Sequence, residues 1–517
     1  MMGKIQRYFI VALLLCSMGA VNAQTWDIGF LNATDVTATL SGNTLTIRGT
    51  GKMKINSSLA RDWPWYSTNN DIQTVIIEQG VTNVEGGAFY ECSELTSVSI
   101  PNSVTEIGNI AFYGCSNLSI INIPISVTGI GRDAFKGTMW EDNQPNGVIY
   151  INNVLYKYKG TMPSNTVIDV REGTVSISPL AFYRCTALTS IIIPSGVTSI
   201  GEMAFDGCSG LAFINIPDGI QDIGFQLFMG CKQLTSIVIP ESVTEIRASA
   251  FKDCTNLSSI MIPSSVRRIN GGAFSGTQWF SSQPDGVVYI NNILYSYKGS
   301  MPPNTTINVR ESTVSISSSA FDSEKNLTAV TFPNSLEVIG ETAFQLTDLS
   351  TVTFPESITS IGDFAFGSNK NLSSVIVLNP VPQDFISGYP FGCIGWFSER
   401  ILPDTLCVPC GSLEAYQAAM VWQDFGTILE LGPETSNIKA KFSCPAMVTV
   451  TYDLTTTEPT DLILYYSTDE TNWLPAQTVT GDLSTQTSGK GKTITWDCVA
   501  DGVLQGKLFY KVKASCD

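Results

Sequence analysis

The sequence predicts a repeat solenoid, rich in β structure with short helical or 3₁₀ return turns and about twelve parallel strands, followed by a small C-terminal β-sandwich. Three observations carry this. Phe recurs at 89, 112, 135, 182, 205, 228, 251, 274, 321, 344 and 366, mostly in steps of 23 residues, with two steps of 47 and a last step of 22. A fixed period between 20 and 50 residues marks units that bury their apolar faces only against their neighbours. An apolar residue stands twelve places before each Phe, and beyond Gly432-Pro433 the period disappears into short alternating segments.

The first residues come first in the chain and stand apart. Lys4 and Arg7 precede an apolar run from Tyr8 to Cys16 and small residues ending at Ala23, the pattern of a cleavable secretory signal over 1–23. The run is too short to span a membrane, and no later stretch approaches the ~20 apolar residues required. Cys16 follows three leucines rather than a small residue, which argues against lipidation. Residues 24–71 then read as an N-terminal β cap, with a hairpin around Ser41-Gly42-Asn43 followed by Trp63-Pro64-Trp65.

The unit itself reads Val104-Thr-Glu-Ile-Gly-Asn-Ile-Ala-Phe112-Tyr-Gly-Cys115-Ser-Asn-Leu118-Ser-Ile-Ile121-Asn-Ile123-Pro124. Ile121 and Ile123 alternate as a short strand, and Pro124 ends it because it has no amide to donate. The Ile-Gly-x-x-Ala-Phe segment suits one tight helical or 3₁₀ turn with the Phe wedged inward. Twelve such strands at ~4.8 Å would make a sheet of roughly 55 Å. The 22-residue step reflects one residue missing between Phe344 and Phe354. Cys92, Cys115, Cys185, Cys208, Cys231 and Cys254 follow the Phe by three places, where other units carry Thr138, Thr277, Glu324 and Thr347. A thiol is therefore not required there, which favours a column of small buried side chains over a metal or redox ladder.

Each 47-residue step is read as one full unit carrying a 24-residue hairpin, near 138–162 and 277–301. Asn146 to Tyr158 and Asp285 to Tyr297 are near-copies, 139 residues apart, with alternating β-branched and aromatic residues around Asn-Asn. Their Tyr and Trp residues suit either a cover over the solenoid's flank or an exposed binding knob, and the cover is favoured. Residues 381–432 read as a C-terminal cap containing Cys407-Val-Pro-Cys410, whose secreted context favours a structural over a redox role; Cys393 is a candidate partner for either thiol. Residues 433–517 form the sandwich, of immunoglobulin or fibronectin type, with pairing among Cys444, Cys498 and Cys516 left open.

The pattern Ile-Gly-x-x-Ala-Phe-x-x-Cys-x-x-Leu-x-x-Ile-x-Ile-Pro resembles the BspA-type leucine-rich repeats of bacterial surface proteins, and the resemblance runs from Val81 to about Pro380 within a solenoid read as 72–380. The terminal sandwich is similar to accessory modules that accompany such repeats. The resemblance implies a secreted or cell-surface location and a role in adhesion or protein recognition through the concave face of the solenoid.

Composition narrows the chemistry. The chain has 517 residues and no His, which excludes Ser-His-Asp and Cys-His catalysis and His-ligated metals within it. Loss of Lys4 and Arg7 with the signal takes the formal charge from −17 to −19, and such acidity argues against nucleic-acid and anionic-membrane partners. No catalytic residue, metal site or cofactor is assigned, and the chain is read as no enzyme. Around the strands, residues such as Thr96, Ser97, Ser99 and Asn122 make a neutral, hydroxyl-rich face that turns apolar at Ile192, Phe213, Val238 and Met261, with Asn215 among them. Those five are the candidate binding residues. Strand propensity is the competing reason for Ile and Val there. The expected partner is an extracellular protein, on a host or neighbouring cell. A glycan-binding or polysaccharide-processing role is the alternative, and a scaffold for the terminal sandwich a third.

Overall fold

The computed structural model describes residues 23–54, 59–383, 390–392, 403–409, 411–431, 434–443, 447–455, 461–467, 474–484, 486–497 and 509–514. The signal segment 1–22 and Cys393, Cys410, Cys444, Cys498 and Cys516 lie outside the described residues. The chain forms two compact units, Met1–Pro284 and Asp285–Asp517.

In the first unit, Gln24–Asp27, Val36–Ser41 and Thr44–Gly49 form an antiparallel meander whose last strand pairs in parallel with Thr74–Ile77. Gly42, at φ 59°, closes the two-residue turn, and Val36, Ala38, Leu40, Leu45 and Ile47 face inward. The indoles of Trp63 and Trp65 donate to the carbonyls of Gly86 and Ala88 at 3.1 and 2.7 Å, and Trp65 lies 6.3 Å from the Phe89 ring. The aromatic column that follows is thereby covered at its start.

From there each turn contributes to two parallel ladders. One is the expected strand series: Thr74–Ile77 and Ser97–Ser99, then Thr166–Asp169, Leu188–Ile192 and Phe213–Ile214, then Ser236–Val238 and Ser259–Met261. The other consists of two-residue strands on the return side, such as Asn83–Val84, Glu106–Ile107 and Gly129–Ile130. Between the ladders the Phe rings stack, with Phe182, Phe205, Phe228, Phe251 and Phe274 separated by 5.3 to 5.6 Å from ring to ring.

The return turn differs from the helical or 3₁₀ turn that the sequence suggests. At all eleven Phe positions the residues two before and two after have positive φ, for example Ile110 (50°) and Gly114 (73°) around Phe112. A 3₁₀ run needs negative φ throughout and bonds each amide three residues back. Here only alternate amides do so: Tyr113 and Cys115 bond to Ile110 and Phe112, whereas Ile110, Phe112 and Gly114 donate to Arg132, Ala134 and Lys136 of the next turn. The left-handed residues turn every second amide outward along the solenoid axis. The return side is thus as firmly laddered as the strand side.

The hairpin also corrects the count of units. Gly147–Ile151 pairs antiparallel with Val154–Lys159, with Asn152 at φ 52° in the turn, and Val154–Lys159 then pairs in parallel with Ser176–Ile177 on the return ladder. The Tyr158 amide donates to Ala181, as the Phe amides do to the Ala of the following turn. Tyr158 therefore takes a Phe position, and the 47-residue step holds two turns rather than one unit with an insertion. On the strand side the place is taken by the short helix Met139–Asp142, where the Trp140 amide donates to Leu118. Tyr156 is buried, and Trp140, Tyr150 and Tyr158 are part-buried, so these rings serve as cover and not as a knob. Arg171 fixes the hairpin to the next turn: its guanidinium stacks 4.3 Å from the Tyr150 ring and donates to the Asn152 carbonyl. The helix Gln278–Ser281, capped by Thr277, repeats the first part of this arrangement.

In the second unit, Gly286–Ile290 and Ile293–Lys298 form the second hairpin, and Arg310 stacks on Tyr289 at 4.4 Å. Its second strand leads the return ladder Ser315–Ile316, Val338–Ile339 and Ser360–Ile361. Strand-side pairing joins Thr305–Asn308 with Leu327–Thr331, and Thr351–Phe354 with Ser374–Val377, Thr405–Pro409 and Thr427–Leu431. Buried Tyr416, Trp422, Phe425 and Phe391 close the core at that end. Two antiparallel sheets follow, Glu434–Ser443, Met447–Thr455, Gly489–Asp497 and Val479–Gly481 in one and Leu474–Pro475, Leu462–Ser467 and Phe509–Ala514 in the other. Val448, Val450, Tyr452, Leu464, Ile494, Trp496 and Val512, drawn from both, form one cluster.

Candidate functional site

On the strand ladder of the first unit, residues before the terminal Pro alternate inward and outward, because successive side chains of a strand leave opposite faces. Ile168, Ile191, Ile214 and Ile237 are buried. Ile192, Phe213, Val238 and Met261 point outward and are 49, 54, 62 and 64% exposed, values that place large apolar side chains in solvent. Val238 and Met261 are direct cross-strand partners, as are Ser190 and Phe213. Val167, 61% exposed and aligned with Ser190, extends the patch and is missing from the sequence-based set.

Asn215 is part-buried and differently employed. Its Oδ1 accepts the Ile193 amide and its Nδ2 donates to the Ile193 carbonyl, both at 2.7 Å. In neighbouring turns that amide bonds to backbone instead, Val170 to Ile192 and Ile239 to Met261. The Asn215 side chain thus stands in for a ladder bond where one strand sheet, ending at Phe213–Ile214, gives way to the next, beginning at Ser236–Val238.

The internal duplication offers a comparison at matched positions. Buried Ile168 and Ile191 correspond to Ile307 and Val330, so the inward chemistry is kept. The outward Val167, Ile192 and Phe213 correspond to Thr306, Thr331 and Thr351. The scaffold accepts hydroxyls at these places.

The cysteine column is chemically quiet. Cys115, Cys208, Cys231 and Cys254 donate to the carbonyls of Phe89, Phe182, Phe205 and Phe228, one turn back, at 3.0 to 3.3 Å. The neighbouring thiols, Cys92 for Cys115 and Cys254 for Cys231, together with burial push the Cys115 and Cys231 thiols well up. Burial, with the nearby Cys185 and Asp206, raises Cys208, and burial alone takes Cys185 up to about 11. Folded values above the unfolded ~8.5 mean that the unfolded chain loses its protons first as pH rises. Stability from these thiols is complete below pH ~8.5 and is lost above it, by about 2 kcal/mol per buried thiol at pH ~10. A urea midpoint that stays level from pH 8 to pH 10 would refute this. Cys407 of the C-x-x-C is a free thiol. Among the described residues no group of three or more His, Cys, Asp or Glu could hold a metal ion, and no helix is long and apolar enough to cross a membrane.

A twin-laddered β-solenoid with an apolar patch on its strand face is the architecture of a repeat protein that presents a surface. The family profile described as "BspA type Leucine rich repeat region" matches in six copies over residues 64–167, 175–301 and 290–391, more than half of the chain. The chain belongs to the BspA-type leucine-rich-repeat family. Among solved structures it is similar to a leucine-rich repeat protein from Bacteroides ovatus, at 23% identity over 77% of this chain and 98% of that one, with a TM-score of 0.26. A leucine rich cell surface protein from Faecalibacterium prausnitzii is 18% identical over 77% of this chain and 94% of that one, with a TM-score of 0.19. The pneumococcal vaccine antigen PcpA is 14% identical over 77% and 98%, with a TM-score of 0.22. No curated protein sequence matches the chain.

Proposed function

We propose that this protein is exported by its N-terminal signal and acts outside the cell or on its surface as a binding protein, engaging an extracellular protein of a host or neighbouring cell through the strand face of the first unit. The observation that carries the reading is the outward set Ile192, Phe213, Val238 and Met261, each about half or more exposed. Exposed contiguous apolar side chains with a polar surround are what recognition surfaces offer and what isolated surfaces avoid. The hydroxyls of Thr331 and Thr351, at the places that match Ile192 and Phe213, speak against strand propensity as the reason for those two. Around this face we place an N-terminal cap over 24–71, the solenoid over 72–380, a closing cap over 381–432 and an accessory module of immunoglobulin or fibronectin type over 433–517.

Replacing both Phe213 and Met261 by Asp is expected to weaken partner binding at least ~30-fold, the scale of a lost hot spot. The far-UV spectrum and melting should stay unchanged, since both side chains face solvent. Binding to host-cell surface protein that survives the double change would sink the site, and equal retention of labelled polysaccharides by the wild type would favour the glycan reading.

A further inference from the structure

We infer that the partner segment recognised at this face is short, extended and basic: apolar anchors flanked by Lys or Arg, about six residues long. The inference rests on the proposed reading of the strand face and adds its length and charge.

Length follows from how the face is bounded. The strand side of this region begins at Thr166–Asp169 and ends at Ser259–Met261, five strands in two successive sheets. Before it the ladder is broken by the helix Met139–Asp142, and after it by Gln278–Ser281, whose Trp140 and Trp279 amides take the carbonyls of Leu118 and Leu257. Four gaps of ~4.8 Å span about 19 Å, which an extended chain at ~3.3 Å per residue crosses with about six residues. Outward positions on neighbouring strands recur every ~4.8 Å, so the patch presents apolar contacts along that path.

Charge follows from the edge of the patch. Asp169 is the direct cross-strand partner of Ile192 and is exposed. Glu172, Asp218 and Glu241 stand three residues beyond Asp169, Asn215 and Val238, at the corner where each strand ends, and are also exposed. None of these four carboxylates has an ion-pair partner among the described residues. By contrast, on the return side Arg247 holds Asp222 at 2.7 Å and Glu202 at 3.4 Å. Arg171, beside Glu172, is committed to Tyr150 and Asn152. The patch therefore has one margin with four exposed carboxylates against a single cation, Arg171, while its other margin carries the hydroxyls of Thr189, Thr235 and Ser258. A chain with a formal charge of −17 adds a field of the same sign. An apolar segment with acidic neighbours would meet repulsion along this margin, and one with basic neighbours would meet complementary charge.

The test is selection of random heptapeptides on the full chain, with binding of the selected peptides measured by fluorescence anisotropy. Enrichment of Lys or Arg beside aliphatic or aromatic residues is expected. The D169N, D218N, E241Q triple variant should bind the selected peptides about tenfold more weakly, as three exposed charge pairs allow. Raising NaCl from 50 mM to 500 mM should weaken wild-type binding similarly. Selected peptides without basic residues, or affinities unmoved by the triple variant and by salt, overturn the charge assignment even when Phe213→Asp with Met261→Asp abolishes binding. Peptides that bind the Phe213→Asp, Met261→Asp variant as well as the wild type instead overturn the strand face as the site. A library that yields no binder overturns the short-segment partner.

Discussion

Replacing Phe228 with Ala is expected to cost about 3–5 kcal/mol, the usual price of emptying a fully buried aromatic site. The ring is wholly buried between Phe205 at 5.6 Å and Phe251 at 5.3 Å, within 8° and 18° of parallel. Its loss removes two ring contacts in addition to the buried area, and no neighbouring side chain can slide along the axis to fill the gap without breaking its own stack. Because each turn touches only its neighbours, the damage should be local in space and large in effect. Hydrogen exchange should show lost protection from about residue 205 to residue 251 with the N-terminal meander retained. A urea midpoint equal to that of the wild type would reject the stack as a source of stability.

The second large effect is expected at Gly201. A Cβ built there would lie 2.3 Å from the Pro179 nitrogen and 2.5 Å from its ring, one turn back, so the backbones themselves would have to part. Gly201→Ala should therefore destabilise by at least the ~1–3 kcal/mol typical of overpacking. One turn further on, the matching Gly224 would place a Cβ no closer than 3.7 Å to anything, and Gly224→Ala should be neutral or slightly stabilising through reduced unfolded-chain entropy. Equal melting temperatures for the two variants would show that the corner yields. The same difference explains why the place is taken by Arg247 and Asn270 in the two turns after Gly224, where the corner is open, and by Gly108 and Gly131 where it is tight.

The solenoid was legible because the residues that repeat are the residues that are buried: the Phe column and the Ile or Val before each Pro report the core directly. The return ladder was hidden because its inward residues, such as Val104 and Ile107, lie three apart instead of alternating, and two-residue strands leave no period to detect. The left-handed positions were invisible because residues as different as Ile110, Asp133, Leu180 and Gln226 occupy them. There the inter-turn hydrogen bond, and not the side chain, selects the backbone. Counting Phe alone also passed over Tyr158 and Tyr297, although each stands 23 residues after the preceding Phe. On the face, Ile192, Phe213, Val238 and Met261 stood out as apolar residues at outward places, while Val167 was lost beside a hairpin that blurred the register. The role of Asn215 could not be foreseen, since a polar residue among apolar ones gives the same signal whether it meets a ligand or the next strand's backbone.

The tyrosines that take the backbone place of a Phe have a further meaning. Tyr158 and Tyr297 keep the 23-residue beat through each hairpin, their amides donating to Ala181 and Ala320 as the Phe amides of other turns do. A chain built this way can lengthen by whole blocks, and its outward residues can then change without disturbing the Phe column. Val167, Ile192 and Phe213 of one block stand against Thr306, Thr331 and Thr351 of the other: one scaffold, present twice, carrying two surfaces.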